Sequence, residues 1–116
     1  MISAKLQGVT IIAAYRSPSY SSHVAFMSEL CKLIPSKGPT IICGDFNIHP
    51  NEQKDYYNPL VNALASLGLV QLIDKPTHIE GHILDHMYVR DVDIAGWQLH
   101  HPYYSDHDAI CCRVNL

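Results

Sequence analysis

Three short stretches of the sequence place acidic and polar side chains where apolar segments end. Asp45 and Asn47 follow an apolar run and Gly44, in "IICGDFNIHP". Residues two apart on an extended backbone face the same way, so this carboxylate and this carboxamide could act on one ligand. A carboxylate can hold a water molecule, and a carboxamide can donate a hydrogen bond to an oxyanion. Taken alone, the stretch is more typical of a turn, where Asp and Asn are ordinary residues after glycine.

The other two stretches contribute a carboxylate within an apolar segment and an acid–histidine pair. Asp85 lies inside "ILDHMYV". A carboxylate there must be paired, hydrogen-bonded or bound to a metal ion, unless it lies at the solvent end of a strand. Asp106 and His107 precede the last apolar segment. Histidine transfers protons near neutral pH, and a neighbouring carboxylate raises its pKa. A surface loop with an incidental histidine is the alternative for this pair.

The apolar pattern predicts the strands and helices that would position these residues. Strands are predicted at 9–15, 40–43, 83–89, 94–100 and 109–114, and residues 69–73 are predicted to be a short extended segment. A first helix should follow a cap at Ser21 or Ser22, and a second should begin at Asn58 and Pro59. The order β-α-β-α-β-β-β predicts an α/β fold, with one mixed β-sheet and two helices on one face. Strands such as "VTIIAAY" are apolar on both sides, so the opposite face requires a partner layer that these elements do not provide.

Composition restricts the class of protein. The chain has 116 residues, 47% of them hydrophobic and 16% charged, which indicates one globular domain over residues 1–116. No C-x-x-C pair suggests a zinc site, and no apolar run reaches the length of a membrane span. We therefore expect an intracellular protein, nuclear or cytoplasmic, without a membrane partner. The net charge of −3 means that a metal ion or another segment would have to supply positive charge for contact with nucleic acid.

The motifs, taken together and in order, resemble those of the endonuclease/exonuclease/phosphatase superfamily. They are Tyr15, "GDFN" at 44–47, "LDH" at 84–86 and "SDH" at 105–107, and the resemblance runs from about Val9 to Val114. The superfamily includes apurinic/apyrimidinic endonucleases, deoxyribonuclease I and the endonucleases of non-LTR retrotransposons. The stretches "YRSPS", "CGDFNIHP" and "PTHIEGHILDHMYV" look most like the retrotransposon branch.

The resemblance implies roles for the residues at the first two motifs. Tyr15 would contact the scissile phosphate, Asp45 would orient the attacking water, and Asn47 would help to hold the transition state. Arg16 could either pair with phosphate or cap the loop that follows. Mg²⁺ or Mn²⁺ is the implied cofactor, which would polarise the phosphate and offset the developing charge.

The last two motifs are assigned in the same way. His107 would engage the phosphate, and Asp85 would support that histidine. Asp106 would bind metal or orient His107, so that Asp45 and Asp106 are the expected metal ligands. Four further histidines could line the same cleft but are expected, by default, to be loop residues: His49, His78, His82 and His86.

The chain resembles only the second half of the family domain, which is a four-layered α/β sandwich. The first half normally supplies a glutamate that is a principal metal ligand, and Glu29, Glu52 and Glu80 do not follow a strand as that glutamate does. Metal binding should therefore be weak, and a homodimer partner or a complementing N-terminal half would provide the missing layer. Two functions stay open. One is a Mg²⁺-dependent endonuclease or phosphodiesterase, a hydrolase that acts on DNA rather than RNA. The other is a non-catalytic, degenerate half-domain that assembles through its exposed sheet face.

Overall fold

A five-stranded mixed sheet, two α-helices and a two-stranded ribbon form the fold in the computed structural model, which describes residues 1–17, 22–49 and 52–116. The strands are β1 Ile2–Leu6, β2 Val9–Tyr15, β3 Thr40–Asp45, β4 Val70–Gln71, β5 Asp85–Arg90, β6 Asp93–His100 and β7 Ala109–Asn115. The helices are α1 His23–Leu33 and α2 Asn58–Ser66, the second preceded by a π-helical turn at Gln53–Tyr57. None of the helices described is long and apolar enough to cross a membrane.

The large sheet has the strand order β1-β2-β3-β5-β4, in which only β2 and β3 are parallel. Strand β1 was not predicted, because all five of its residues are exposed and leave no apolar pattern. It joins β2 through Gln7 and Gly8, both with positive φ (49° and 83°), as a two-residue hairpin turn requires. The mixed α/β class predicted from the sequence is confirmed.

Both helices lie on one face of the large sheet, as predicted. Ser22 begins α1 by accepting a hydrogen bond from the backbone N–H of Ala25 at 3.1 Å, whereas Ser21 lies outside the described residues. Pro59 occupies the first turn of α2. The helices bury their apolar stripes against the sheet in one cluster, which includes Phe26, Leu30, Leu60, Leu64, Ile12, Ile42, Phe46 and Tyr88.

The prediction of a single sheet is wrong for the last two strands. Strands β6 and β7 pair only with each other in the described part of the chain, with an irregularity between Ile94 and Gly96. This ribbon packs its half-buried side chains, including Trp97 and Ile110, over the face opposite the helices, where Ile41 and Met87 are buried. The chain therefore supplies part of the layer that the sequence did not account for. Burial of the apolar face is the driving force, and the alternation within β6 and β7 does not encode which strands they pair with.

Candidate active site

Three neighbouring strands bring Tyr15, Asp45 and Asp85 into one row. Tyr15 pairs in register with Asp45, and Asp45 pairs with Asp85. Paired residues on adjacent strands point to the same face, which here is the face that the ribbon covers. Gly44, one residue before Asp45, has φ 152°, and a Cβ atom on it would lie 1.7 Å from the carbonyl oxygen of Ala14. Glycine is therefore required for β3 to lie this close to β2 at the row.

His107 joins this row from the loop between β6 and β7. Its Nδ1 lies 2.8 Å from Oδ2 of Asp85, a hydrogen bond, and its Nε2 lies 3.7 Å from Oδ2 of Asp45, an ion-pair distance. The backbone N–H of His107 donates to Oγ of Ser105 at 3.1 Å. One ligand atom from each of Asp45, Asp85 and His107 lies within 4.8 Å of the other two. We call these three residues the acid–histidine cluster.

Electrostatics shift the pKa of two members of the cluster upward. Burial and the neighbouring charge of Asp85 raise the pKa of Asp45, against a smaller opposing effect of the hydrogen bond from the backbone of Asn47. Burial acts to lower the pKa of His107, but the hydrogen bond and charge of Asp85, with the charges of Asp45 and Asp106, outweigh it. The cluster therefore favours a cation beside its carboxylates, and it favours a protonated imidazole.

The loop after β3 fixes the orientation of the Asp45 carboxylate. Asn47 has φ 49°, and its backbone N–H donates to Oδ1 of Asp45 at 3.0 Å. This leaves Oδ2 facing His107. The Asn47 side chain is buried, and its Nδ2 donates to the backbone oxygen of Arg16 at 2.7 Å. Asn47 thus uses one N–H of its carboxamide within the loop.

Arg16 caps this loop and does not face solvent. It is 4% exposed, and its guanidinium donates to the backbone oxygen of Asn47 at 3.1 Å. Its charge is balanced by Glu52 at 3.7 Å and by the Tyr56 ring, whose centroid lies 5.0 Å away. Of the two roles left open by the sequence, the structure supports the loop cap. Tyr15, one residue earlier, is 61% exposed at the end of the row and remains available to a ligand.

Asp106 is exposed and contacts a histidine outside the acid–histidine cluster. Its Oδ2 is 3.1 Å from Nε2 of His78, and this hydrogen bond is the main cause of its lowered pKa. His78, Asp106 and His107 form a second group whose ligand atoms lie within 4.8 Å of one another. The two metal ligands predicted from the sequence, Asp45 and Asp106, thus fall in different groups that share His107.

Sequence reasoning missed His78 and Thr77, which hold the site together from the segment before β5. His78 forms a backbone bridge with His107, and the backbone N–H of Asp108 donates to the Thr77 oxygen at 2.7 Å. The Thr77 hydroxyl accepts from the backbone N–H of Asp85 at 3.0 Å. No local signal marks these residues, because their partners lie about thirty positions away along the chain or across a loop.

His86 was expected to be a loop residue, and this is wrong. It lies in β5, is 1% exposed and stacks on Phe46 with ring centroids 4.7 Å apart. Its Nδ1 lies 3.0 Å from the Tyr88 hydroxyl. Burial lowers its pKa to about 4, so it is neutral at physiological pH. The physical reason is the alternation of β5, which points Asp85 toward the ribbon and His86 toward the helices.

The residues present fit a hard divalent cation at the acid–histidine cluster. Asp45 and Asp85 offer carboxylate oxygens, the ligands that Mg²⁺ and Mn²⁺ prefer, and they lie side by side. Among the described residues, their only ion-pair partner is His107. No glutamate belongs to either group of possible ligands in the described part of the chain: Glu52 pairs with Arg16, and Glu29 and Glu80 are exposed.

The fold is an α/β domain that carries an acid–histidine cluster at its strand ends. The sequence profile described as endonuclease–reverse transcriptase matches residues 9–111, a span that includes Tyr15, both carboxylates of the row and His107. The chain belongs to this family, which confirms the resemblance found in the motifs. A comparison with curated proteins gave no match.

Proposed function

We propose that the chain carries a metal-dependent endonuclease activity that hydrolyses nucleic-acid phosphodiester bonds by attack of water. The observation that supports the proposal most strongly is the acid–histidine cluster, assembled from β3, β5 and the loop before β7. Membership of an endonuclease family supports nucleic acid as the partner. We further propose DNA rather than RNA as the substrate, following the resemblance to retrotransposon endonucleases.

Asp45 and His107 are the proposed proton-transfer groups. Burial and Asp85 raise the pKa of Asp45, which makes its carboxylate a better base for the attacking water. Its Oδ1 is held by the Asn47 backbone, so Oδ2 is the oxygen that would take the proton. His107, kept protonated by Asp85, would donate from Nε2 to a phosphate oxygen or to the leaving oxygen.

The other site residues position this pair and the substrate. Asp85 accepts from Nδ1 of His107 and so fixes which ring nitrogen faces the substrate. Tyr15, exposed at the end of the row, would contact the phosphate. One N–H of the Asn47 carboxamide is used by the Arg16 oxygen, so the proposed contact with the transition state would come from the other N–H.

Asp45 and Asp85 would hold Mg²⁺ or Mn²⁺ at the cluster, and Asp106 would contribute from the side of His78. When bound, the ion would neutralise charge on the phosphate oxygens. Metal binding should be weak, because the cluster contains only two carboxylates and lacks a glutamate ligand. Calorimetry with Mn²⁺ should give a reduced heat for Asp45→Ala and for Asp106→Ala relative to wild type. An unchanged heat for Asp106→Ala would remove that residue from the metal site.

The nuclease proposal is tested by nicking of supercoiled plasmid in the presence of Mg²⁺ or Mn²⁺. Wild type should nick the plasmid, whereas Asp45→Ala and His107→Ala should lose at least about a hundredfold in rate. Glu29→Gln, which alters an exposed acid on α1, is the matched control and should retain activity. Parallel assays on an RNA of the same sequence test the preference for DNA.

One observation favours a second candidate, a non-catalytic half-domain that assembles through its sheet. The ribbon leaves Ile11, Val89 and Trp97 only partly buried, and both of its edges are unpaired among the described residues. A homodimer partner or a complementing N-terminal half would cover this surface. Light scattering at micromolar concentration should then show a dimer, and a folded monomer would remove the homodimer. A folded protein that dimerises and never nicks plasmid would favour this second function.

A further inference from the structure

The turn ahead of Asp106 and His107 exposes two adjacent tyrosines that neither apolar cluster uses. Tyr103 is 98% exposed and Tyr104 is 80% exposed. Their rings contact each other edge to face, with centroids 5.5 Å apart. Neither belongs to the cluster under the helices or to the cluster under the ribbon. Packing of the fold therefore does not account for the two rings.

Local structure does not account for them either. The backbone N–H of Ser105 donates to the oxygen of Pro102 at 3.4 Å, so Tyr103 and Tyr104 occupy the two central positions of a turn. Glycine, proline, asparagine, aspartate and serine favour such positions, and tyrosine does not. Residues that depart from local preference without a gain for the fold are expected at functional positions.

The loop that carries the two tyrosines is held in place on both sides of the turn. Pro102 is buried, and Nδ1 of His101 lies 2.6 Å from Oδ1 of Asp108, which closes the loop across its base. Ser105 accepts the backbone N–H of His107, so the turn leads directly into the cluster. Tyr104 and His107 are three positions apart in the chain, which limits the distance between their Cα atoms to about 11 Å.

We propose that Tyr103 and Tyr104 stack on an unpaired base of the nucleic-acid substrate, close to the scissile phosphate. This inference rests on the proposed function and adds a substrate class, single-stranded or locally unpaired nucleic acid. At about 3.4 Å per nucleotide of a stacked strand, 11 Å corresponds to about three nucleotides. In a perfect duplex the base faces are already stacked, so the rings could not reach them.

The charge of the surroundings favours a base over an apolar protein surface as the partner. The sequence neighbours of the tyrosines include the polar residues His100, His101, Ser105 and Asp106, so the rings project from a largely polar segment. The stacking contact itself is made with the π-face that every base offers and does not depend on a Lys or Arg at the rings. It therefore suits a chain whose net charge is −3.

Fluorescence anisotropy with labelled oligonucleotides in EDTA tests the inference without cleavage. The ligands are a 12-nucleotide single strand, its perfect duplex and the same duplex with one bulged base. Wild type should bind the single strand and the bulged duplex more tightly than the perfect duplex. The double variant Tyr103→Ala/Tyr104→Ala should weaken binding to the first two by about five- to a hundredfold and leave the perfect duplex unchanged.

Two controls separate stacking from other effects. Tyr103→Phe/Tyr104→Phe keeps both rings and should restore the affinity. Val24→Ala changes a residue that is 78% exposed on α1 and should have no effect. Circular dichroism of each variant establishes that it is folded.

Equal single-strand affinity for wild type and the double alanine variant would overturn the inference. So would an equal loss on all three ligands, which would indicate a contact with the backbone, and so would a change confined to self-association in light scattering. If wild type nicks plasmid and the tyrosine variants bind as it does, this inference alone is wrong. If folded wild type neither binds these ligands nor nicks plasmid in Mg²⁺ or Mn²⁺, the proposed function is wrong as well.

Discussion

The two faces of the five-stranded sheet differ in how completely they are covered. The covered face carries buried core residues, and the more open face carries the residues of the candidate site. Under the helices, Phe46, His86 and Tyr88 are at most 1% exposed and form one aromatic cluster. Under the ribbon, Asp45 and Asp85 remain partly open, and Tyr15 is 61% exposed. The same strands serve both faces, because alternate residues point to opposite sides.

The stretch "GDFN" shows this division within four residues. Gly44 permits the close approach of β3 to β2, and Asp45 points to the open face. Phe46 points to the closed face, where it contacts Phe26 of α1 and the ring of His86. Asn47 then holds Asp45 through its backbone and Arg16 through its side chain. The aromatic residue between the two polar ones is therefore the anchor that holds them in place.

The largest contrast between the faces should come from removing that anchor. Phe46→Ala should lower the free energy of unfolding by about 3–5 kcal/mol, the usual cost of a large cavity in a core. Asp45→Asn, at the next residue on the open face, should cost little or increase stability, because it relieves repulsion with Asp85. Urea unfolding of both variants checks the contrast. Equal losses would mean that the two faces do not divide the roles in this way.

Gly44→Ala should disturb both faces at once. The added methyl group would meet the Ala14 carbonyl, so β3 must move away from β2, at a cost of about 2–4 kcal/mol. A variant that still folds should also lose most plasmid nicking, because the row of Tyr15, Asp45 and Asp85 is opened. Gly96→Ala is the matched control, since nothing lies within 4 Å of a Cβ atom there. A Gly44→Ala variant that is as stable as wild type would contradict the predicted clash with the Ala14 carbonyl.

Two histidines, one on each face of the sheet, have pKa values that are shifted in opposite directions. His86, under the helices, has its pKa lowered from 6.5 to about 4 by burial. Its contribution to stability is complete above pH 6.5. As the pH falls toward 4, the free energy of unfolding should decrease by about 3 kcal/mol. His86→Phe, which keeps the stack on Phe46, should flatten the stability profile over that range. Urea unfolding between pH 4 and 7 measures the difference, and parallel profiles would exclude the effect.

His107, on the open face, should show the smaller and opposite effect. Its pKa is raised, so its contribution to stability is complete below pH 6.5 and is lost as the pH rises through the folded-state value. In metal-free protein, NMR titration should show that Asp85→Asn lowers the pKa of His107. Glu80→Gln, an exposed acid near the site in sequence, should leave it unchanged. A pKa of His107 that is insensitive to Asp85→Asn would contradict the hydrogen bond between them.

The sequence predicts the closed face better than the open one. Apolar periodicity identified both helices and the buried strands; in α2, for example, the buried residues Leu60 and Leu64 lie four positions apart, at helical spacing. It could not show that β6 and β7 leave the large sheet, since strand pairing is a long-range choice. It also missed β1, whose residues are all exposed.

The candidate site was predicted in part, for a similar reason. Motif order brought together Tyr15, Asp45, Asp85 and His107, and the structure places the last three in one cluster. Thr77 and His78 were missed because backbone bonds to Asp85 and to residues 106–108 position them, and no local pattern reports such bonds. The inward orientation of Asn47 depends on Arg16, which the sequence left with two alternatives.

The central claim is that Asp85 and His107 act as one unit with Asp45 on the open face. The most direct test is the rate of plasmid nicking by wild type, Asp85→Asn, His107→Ala and the double variant, in Mg²⁺ and in Mn²⁺. We predict activity in wild type and a loss of at least about a hundredfold in His107→Ala. The double variant Asp85→Asn/His107→Ala should be no less active than His107→Ala alone. Folded wild type without activity, or nicking that survives His107→Ala, would contradict the account.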